Sequence, residues 1–250
     1  MTYADFGFKK VTKKQKNNLV NQVFSSVAGK YDLMNDVMSL GLHRLWKRRL
    51  ISQIYPQDNL QILDMAGGTG DIAFAIAKKF KSYQKKAEIT VADYNQEMLA
   101  EGKKRQIDLG LFDEDIKWRV ENGEKTKFKA KQFDYYIISY GIRNFADIEA
   151  GLNEAYRILK PGGVFLCLEF SAVENKLLKE LYDFYSFKII PKCGKMLVGD
   201  ESSYQYFVES IRKFPKARDF VSKITDAGFS DASYQDLSFG ITSLYKAVKK

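Results

Sequence analysis

A glycine-rich segment bounded by two aspartates is the part of this sequence best suited to hold a ligand. Residues 64–71 read Asp-Met-Ala-Gly-Gly-Thr-Gly-Asp, and three glycines allow the backbone to approach a bound molecule closely. Asp93 follows roughly 20 residues later, a spacing at which a carboxylate can hold two ribose hydroxyls. The pattern predicts a ligand that contains a nucleoside, with Gly68 and Asp93 among the residues that bind it.

The same segment also fits a loose dinucleotide fingerprint, Gly68-x-Gly70-x-x-Ala73, so a nicotinamide or flavin enzyme is an alternative. A dinucleotide places its pyrophosphate at a helix N-terminus. Here Asp64 is expected to end a strand and Asp71 to begin the helix, where it would cap the free N–H groups. Two carboxylates would repel a pyrophosphate but attract the ammonium and sulfonium of S-adenosylmethionine. A capped turn without a ligand would explain Asp71 but not the three glycines.

Alternating strand and helix patterns from residue 61 onward must position these side chains. The predicted strands cover residues 62–65, 89–92, 116–120, 135–139 and 164–170, and the predicted helices cover 72–80, 96–109, 148–159 and 177–189. Such alternation implies a parallel sheet with helices on both faces, where ligands bind beyond the carboxyl ends of the strands. The polar segments 122–124 and 139–144, which follow two of the strands, are therefore expected near the same ligand.

Both ends of the chain depart from this alternation. A predicted helix over 216–227 is followed by strand-like runs at 232–237 and 241–248, which are close enough to pair as an antiparallel hairpin. Near the front, residues 8–18 contain five lysines, and an amphipathic run follows. We therefore predict an N-terminal helical extension or lid over residues 1–60 and one compact α/β domain over residues 61–250.

Composition excludes several classes of protein. The 250 residues are 45% hydrophobic with only 4 Pro, which excludes a disordered or collagen-like chain. Two cysteines and one histidine supply neither a disulfide framework nor a zinc site, so we expect a reducing compartment and no metal. No apolar run approaches the roughly 20 residues of a membrane span, and the first residues lack a signal-peptide pattern. The net charge of +9 favours an anionic partner, either nucleic acid or a lipid surface.

Several longer segments carry a more specific signal. Residues 24–36 read FSSVAGKYDLMND and residues 39–47 read SLGLHRLWK; segments 66–71, 141–144, 156–163, 168–171 and 209–212 add to them. Together, from about residue 23 to the C-terminus, they resemble the class I S-adenosylmethionine-dependent methyltransferases and, more narrowly, the ubiquinone/menaquinone biosynthesis C-methyltransferase family. The resemblance implies a doubly wound Rossmann-like sheet, mostly parallel with an antiparallel C-terminal strand, and S-adenosylmethionine as cofactor.

The resemblance also implies five cofactor contacts, in the glycine segment, at the ribose, near the adenine and after the fourth predicted strand: Thr69, Asp93, Asn122, Gly123 and Ser139. This chain departs from the usual pattern of the family at several positions, one of which is Thr126-Lys127-Phe128, where the family usually has Leu-Pro before an aromatic. The family usually has Ala where Gly123 stands, Phe where Tyr140 stands and a His near Tyr245.

The chemistry implied by the family is methylation of a ring carbon on a polyprenylated benzoquinol or demethylmenaquinol. A phenol with a pKa near 10 makes the reactive phenolate about 4 kcal/mol uphill at pH 7, more than the roughly 1.5–3 kcal/mol of one charge-assisted hydrogen bond. We assign Arg143 to hold the developing phenolate and expect water, His43 or Asp147 to accept the proton. The alternative roles are an ion pair of Arg143 with Asp147 and a packing or hydrogen-bonding role for His43.

The expected partners are this quinol and a membrane surface. The quinol resides in the bilayer, and each lysine between residues 9 and 16 would contribute about 1 kcal/mol near anionic lipid. We therefore expect a cytoplasmic protein, peripheral at the inner face of the cell membrane, with a homo-oligomer or a quinone-biosynthesis complex as further candidates. Another small aromatic or RNA is the alternative substrate, although no recognised nucleic-acid-binding motif supports RNA. The alternative is that these lysines belong to a solvated, mobile tail that does not bind a membrane.

Overall fold

A seven-stranded sheet organises the residues that the computed structural model describes, which are 2–111, 115–171, 173, 180, 184–190 and 201–250. In chain order the strands are β1 (Tyr3–Phe6) and β2 (Lys9–Thr12), which form a separate hairpin, and then β3 (Leu60–Met65), β4 (Ala87–Asp93), β5 (Ile116–Val120), β6 (Phe133–Ser139), β7 (Leu159–Phe170), β8 (Ser230–Leu237) and β9 (Thr242–Val248). The order across the sheet is β5-β4-β3-β6-β7-β9-β8. Strands β3 to β7 are parallel, whereas β9 is antiparallel to both of its neighbours.

Helices cover both faces of this sheet. They are α1 (Lys13–Val27), α2 (Tyr31–Ser39), α3 (His43–Ser52), α4 (Asp71–Ser82), α5 (Gln96–Asp108), α6 (Ile148–Ile158), α7 (Glu201–Lys213) and α8 (Ala217–Asp226). One apolar core lies between the sheet and α1 to α5 with α7, and a second lies between the sheet and α6 with α8. The predicted doubly wound, mostly parallel sheet with an antiparallel C-terminal hairpin is confirmed. Of the helix predicted over 177–189, residues 177–179 and 181–183 lie outside the described residues, as does Cys193, whereas Tyr185–Ile189 is helical.

The first twelve residues differ from the predicted helical extension. They form the β1–β2 hairpin, and helices occupy the N-terminal segment only from Lys13 onward. The turn contains Gly7 at a φ of +58°, and the ring of Phe6 stacks on Tyr206 of α7 with centroids 4.2 Å apart. Apolar burial on one side of an extended segment therefore outweighs the lysine-rich composition that suggested helix. No helix in the described ranges is long and apolar enough to cross a membrane.

Lysines fasten this N-terminal segment to the domain. Lys16 is 6% exposed, and its Nζ donates to the carbonyl oxygens of Arg143 at 3.3 Å and Phe145 at 2.6 Å. Lys13 forms an ion pair with Asp147. Because these contacts hold α1 across the carboxyl ends of the strands, the lysine cluster has a structural role in addition to any role at a surface.

Asn95 holds the other side of α1. Its Nδ2 donates to the backbone oxygen of Asn21 at 3.0 Å, to the side-chain oxygen of Asn21 at 2.9 Å and to Ser25 Oγ at 2.9 Å. Asn95 also caps α5 through its Oδ1, which accepts from the N–H of Met98 at 2.8 Å. One buried amide therefore connects α1 to the segment that follows β4.

Burial of Lys16 predicts a pH-dependent stability. Desolvation lowers the pKa of Lys16 from 10.5 to about 8, so between these values the unfolded chain binds more protons and stability rises with pH. The free energy of unfolding of the wild type, minus that of Lys16→Met, should therefore increase between pH 8 and 10 by at most about 1.4 kcal/mol per pH unit. Urea unfolding at pH 8, 9 and 10 measures this difference. The exposed Lys9→Met serves as control, and a difference for Lys16→Met that does not change with pH would contradict the prediction.

Candidate functional site

A cavity of about 680 Å³, partly open to solvent, lies at the carboxyl ends of four neighbouring parallel strands. Its walls are the residues that follow β3, β4, β5 and β6, together with one side of α1. They include Ala66, Gly68, Asp93, Tyr94, Asn95, residues 121–124, Tyr140, Gly141, Asn144, Phe145, Asn17, Val20, Asn21 and Phe24. We refer to this space as the large cavity. Its location agrees with the edge of the sheet predicted from the sequence.

Asp93 is fixed in the wall of the large cavity by two backbone N–H groups. Its Oδ2 accepts from Gly68 at 2.9 Å and its Oδ1 accepts from Asn95 at 2.8 Å. Gly68 has a φ of +53°, which favours glycine over any residue with a Cβ. Desolvation raises the pKa of Asp93 to about 6, so the carboxylate is largely ionised at neutral pH. It can accept hydrogen bonds from hydroxyl groups of a ligand.

A second, small cavity of about 320 Å³ adjoins the large cavity and shares Ala66 and Tyr140 with it. Asp64 of β3 lines the small cavity and is 1% exposed. Neither of its carboxylate oxygens, nor Oγ of Ser139, has a hydrogen-bond partner of ordinary geometry among the described residues. Burial raises the pKa of Asp64 to about 7, and the backbone N–H of Ala73 only partly offsets this. Buried polar atoms of this kind normally require a partner, so the small cavity suits a cationic group.

Two residues with strained backbones separate the cavities. Ala66 follows β3 with a φ of +52°, and Tyr140 follows β6 with a φ of +58°. Left-handed conformations are unfavourable for residues with a Cβ and often occur at functional sites. A Cβ on Gly141 would lie 2.5 Å from the Cβ of Ala66, so the two turns are in close contact.

Arg143 lies in a buried ion pair behind the Tyr140 turn. Its Nη1 donates to Glu169 Oε1 at 2.8 Å and to the carbonyl oxygen of Tyr140 at 2.5 Å, and its Nε donates to Ser210 Oγ at 3.3 Å. The guanidinium lies 5.5 Å from the centroid of the Phe170 ring. Arg143 does not line the large cavity. The alternative expectation of an ion pair was right in kind, but the partner is Glu169 and not Asp147.

The ring of Phe145 is wedged between two glycines in the wall of the large cavity. A Cβ on Gly123 would lie 2.4 Å from its Cζ, and a Cβ on Gly151 would lie 2.4 Å from its Cδ2. Real Cβ atoms do not approach other atoms so closely, which means that the ring occupies the space of both missing methyl groups. Gly123, where the family usually has alanine, therefore leaves room that the ring of Phe145 fills.

The remaining predicted cofactor contacts divide between the two cavities. Gly68, Asp93, Asn122 and Gly123 line the large cavity, and Ser139 lines the small one. Thr69 also lines the small cavity, but its hydroxyl accepts a hydrogen bond from Arg105 Nη1 at 2.7 Å. The structure thus brings the predicted contacts to one region.

Asp71 does not cap α4 as the sequence suggested. The cap residue is Gly70, which has no side chain with which to cap the helix. The Asp71 carboxylate instead pairs with Lys47 at 3.0 Å and with Arg105 at 2.7 Å, and these cations lower its pKa. Asp64 is therefore the acid whose charge remains available to a cationic ligand in the small cavity.

Both predicted candidates for the proton acceptor lie outside the two cavities. His43 is buried in α3, with its Nδ1 2.9 Å from Ser39 Oγ, and burial together with Lys47 lowers its pKa. Asp147 caps α6 by accepting from the N–H of Ala150 and pairs with Lys13. These contacts fit the hydrogen-bonding role considered for His43 and a structural role for Asp147.

The sequence predicted a lid over residues 1–60 but did not identify the α1 residues that line the large cavity. Asn17, Val20, Asn21 and Phe24 form one of its walls. These residues recur every three or four positions, a spacing that places them on one helix face. The pattern could have revealed a common face, but not that this face, among those of the predicted lid, lines the cavity.

Comparison with known proteins gives one consistent result. The model of the ubiE/COQ5 methyltransferase family matches residues 9–249. A protein of Rickettsia bellii (strain OSU 85-389) named ubiquinone/menaquinone biosynthesis C-methyltransferase UbiE is 50% identical over 249 residues, 100% of both chains. The protein of the same name from Rickettsia massiliae (strain Mtu5) is 51% identical over 247 residues, 99% of both chains.

Solved structures show the same fold at low sequence identity. A S-adenosylmethionine-dependent methyltransferase of Thermotoga maritima, described as a possible histamine N-methyltransferase, has a TM-score of 0.60 and 18% identity, covering 92% of this chain and 100% of that one. Phosphoethanolamine N-methyltransferase 2 of Haemonchus contortus, in complex with S-adenosyl-L-methionine, has a TM-score of 0.61 and 16% identity. That alignment covers 82% of this chain and 52% of the other. These likenesses support the fold.

Titration of Asp64 should control the affinity for S-adenosylmethionine. With a pKa of about 7 in the free protein, the carboxylate is mostly protonated at pH 5.5 and mostly ionised at pH 7.5. Binding of a cation that requires the ionised carboxylate should therefore strengthen up to about 25-fold over this range. Calorimetric titration should show that Asp64→Asn weakens binding at pH 7.5 and flattens the pH profile, whereas the exposed Asp58→Asn changes neither. An unchanged profile in Asp64→Asn would show that the cation is bound elsewhere.

The contact between Gly123 and Phe145 predicts a paired effect of two substitutions. Gly123→Ala should weaken S-adenosylhomocysteine binding about 5- to 150-fold, because overpacking by one methyl costs about 1–3 kcal/mol and the displaced ring must move. Adding Phe145→Val should restore most of the affinity. Gly29→Ala, whose Cβ would meet nothing within 4 Å, is the control. If calorimetry gives strictly additive losses for the two substitutions, the proposed steric coupling is absent.

Proposed function

The chain belongs to the ubiE/COQ5 methyltransferase family, and on this basis we propose that it methylates a ring carbon of a polyprenylated benzoquinol or demethylmenaquinol. The observation that carries the proposal is 50% identity over the full length of both chains to a relative named for ubiquinone/menaquinone biosynthesis. The cofactor is S-adenosylmethionine, as the family and the fold indicate. The large and small cavities provide its binding site.

The residues of the two cavities divide the binding of the cofactor between them. S-adenosylmethionine, when bound, supplies a methyl group attached to a positively charged sulfur. Asp93 accepts hydrogen bonds from the ribose hydroxyls, and Asn122 with Gly123 lies against the adenine. Asp64 and Ser139, whose buried oxygens have no protein partner of ordinary geometry in the described part of the chain, receive the charged amino acid portion. Thr69 contributes through the backbone of the same glycine segment.

Arg143 acts on the acceptor side as a positioning residue. The guanidinium already contacts Glu169, Tyr140 and Ser210, so its capacity for a direct bond to a phenolate is small. By holding the carbonyl of Tyr140 it fixes the Tyr140–Asn144 turn, which faces the large cavity. This role replaces the direct contact with the phenolate that the sequence suggested.

A proton must leave the phenol before or during methyl transfer, and Glu124 is better placed to accept it than His43 or Asp147. Glu124 lines the large cavity, and burial raises its pKa. Its Oε1 accepts from the N–H of Ala146 at 2.7 Å, which fixes the carboxylate. A carboxylate with a raised pKa is a stronger base than an exposed one, and an ordered water can connect it to the phenol.

The acceptor also makes a membrane surface the natural partner, because a polyprenylated quinol resides in the bilayer. The N-terminal lysines are less available for docking than their number suggests. Lys16 is buried, Lys13 pairs with Asp147, and Lys10 pairs with Asp5 at 2.9 Å. Lys9 and Lys14 remain exposed. We therefore propose peripheral association at the inner face of the membrane mainly because the substrate resides in the bilayer, and only secondarily because of the N-terminal lysines.

The proposed activity can be tested by following the methyl group. The protein is incubated with methyl-labelled S-adenosylmethionine and lipid extracts from strains blocked in quinone methylation. We expect the label in a benzoquinol, a naphthoquinol or both, and in neither with Asp64→Asn at limiting cofactor concentration. Label found in RNA or in a water-soluble aromatic, and none in quinol, would overturn the proposed substrate.

The substitution Arg143→Lys tests whether Arg143 positions the Tyr140–Asn144 turn for the reaction or only stabilises the folded protein. Lysine keeps the charge but lacks the planar guanidinium, whose Nε donates to Ser210 while Nη1 donates to Glu169 and to the Tyr140 carbonyl. Loss of one charge-assisted bond of about 1.5–3 kcal/mol should lower kcat by roughly 10- to 100-fold and leave the KM for S-adenosylmethionine nearly unchanged. Arg157→Lys, whose partner Glu154 lies outside both cavities, is the control. A lower melting temperature with unchanged kcat would mean that Arg143 serves stability alone.

A further inference from the structure

Helix α3 exposes a face that combines cations with an apolar side chain. Arg44, Leu45, Arg48 and Arg49 are all exposed, while Trp46 and Leu50 on the opposite face are buried in the core. A basic helix with apolar residues on its outer face is typical of proteins that lie on a membrane surface.

Two turns beside α3 present large apolar side chains to solvent. Leu40, in the turn that leads into α3, is 73% exposed, and Phe239, in the turn between β8 and β9, is 87% exposed. Both have left-handed backbones, with φ of +50° and +59°. A fold gains nothing from an exposed phenylalanine or leucine at a strained position, where Asn or Gly would be more favourable. The two side chains are therefore better explained by contact with a partner.

Hydrogen bonds join the second turn to the helix. Trp46 Nε1 donates to Ser238 Oγ at 2.9 Å, and the guanidinium of Arg49 donates to Gln235 Oε1 at 2.9 and 3.0 Å. Phe239 therefore stands next to a turn residue that is fixed on α3. We refer to Leu40, Arg44, Leu45, Arg48, Arg49 and Phe239 as the α3 surface.

A basic cleft of about 890 Å³ borders the α3 surface. Arg44 and Arg48 line it from α3, and Lys47, Lys78 and Arg105 contribute further cations, against the single carboxylate of Asp71. Lys47 and Asp71 also line the small cavity of the candidate site. The cleft thus lies between the α3 surface and the reaction site, and its charge suits phosphate groups.

We propose that the α3 surface docks the protein on a bilayer containing anionic phospholipids. Leu40, Leu45 and Phe239 enter the interfacial region, and Arg44, Arg48 and Arg49 lie against the headgroups. This inference rests on the proposed function, because only a lipid-borne acceptor makes docking beside the site useful. It assigns the membrane contact to α3 in place of the N-terminal lysines, because Lys16 is buried and Lys13 is partly buried against Asp147. Arg44 pairs with Asp36 at 2.7 Å but keeps 64% of its side chain exposed.

Co-sedimentation with vesicles tests the assignment. The probes are vesicles of phosphatidylcholine alone and of phosphatidylcholine with 30% phosphatidylglycerol, at about 0.1 M salt, where screening is moderate. The double variant Leu40→Asn, Phe239→Asn removes both apolar side chains, and asparagine is well tolerated in the left-handed backbone conformation of these two positions. It should weaken binding to the anionic vesicles at least tenfold. Arg48→Gln with Arg49→Gln should do the same and remove most of the dependence on salt. Lys9→Gln with Lys14→Gln should bind like the wild type, as should Tyr83→Ser, which removes an exposed ring elsewhere.

Two further measurements separate this proposal from the proposed function. Each variant is checked for wild-type affinity for S-adenosylhomocysteine, which shows that it is folded, and for turnover of a quinol solubilised in detergent. If the unmodified protein methylates that quinol but binds neither kind of vesicle, the docking proposal alone is overturned. The same holds if only the N-terminal variant loses vesicle binding. Vesicle binding through α3 without methylation of any quinol would overturn the proposed substrate alone. If the protein binds RNA but not vesicles, the docking proposal is overturned and the α3 surface is assigned to RNA instead of a bilayer.

Discussion

The buried ion pair between Arg143 and Glu169 determines the loop on which the candidate site depends. The Glu169 side chain is fully buried and that of Arg143 is 4% exposed. Removing one partner of such a pair leaves an uncompensated charge and costs about 3–5 kcal/mol. Because Arg143 also holds the carbonyl of Tyr140, strand β7 fixes the conformation of the residues after β6. Local sequence alone would leave that turn with several accessible conformations.

Helices that are distant in sequence use the same loop as their point of attachment. Lys16 of α1 donates to the carbonyls of Arg143 and Phe145, and the Tyr206 hydroxyl of α7 donates to Asn144 Oδ1 at 2.9 Å. The covering of the large cavity by α1 and the position of α7 are therefore coupled through a few residues after β6. A change in one of these helices can reach the site without touching it.

The sequence predicts the parts of the site that depend on strand order and misses those that depend on contacts across the fold. Asp93 and Gly123 lie where strand–helix alternation requires, because parallel strands end at one edge. The partner of Arg143 could not be predicted, since Glu169 is 26 residues away on the neighbouring strand, whereas Asp147, the nearer acid, pairs with a lysine at the other end of the chain. Asp71 likewise finds its cations on α3 and α5. The hairpin before α1 depends on packing against α7, which no local pattern reveals.

The wedged ring of Phe145 also constrains how this protein could have diverged from relatives with alanine at position 123. A methyl at that position and the ring cannot share one space. A methyl at position 123 would force the ring to move as long as the ring is present. The effect of the residue at either position therefore depends on the residue at the other, so each of the two positions limits the replacements that the other can accept.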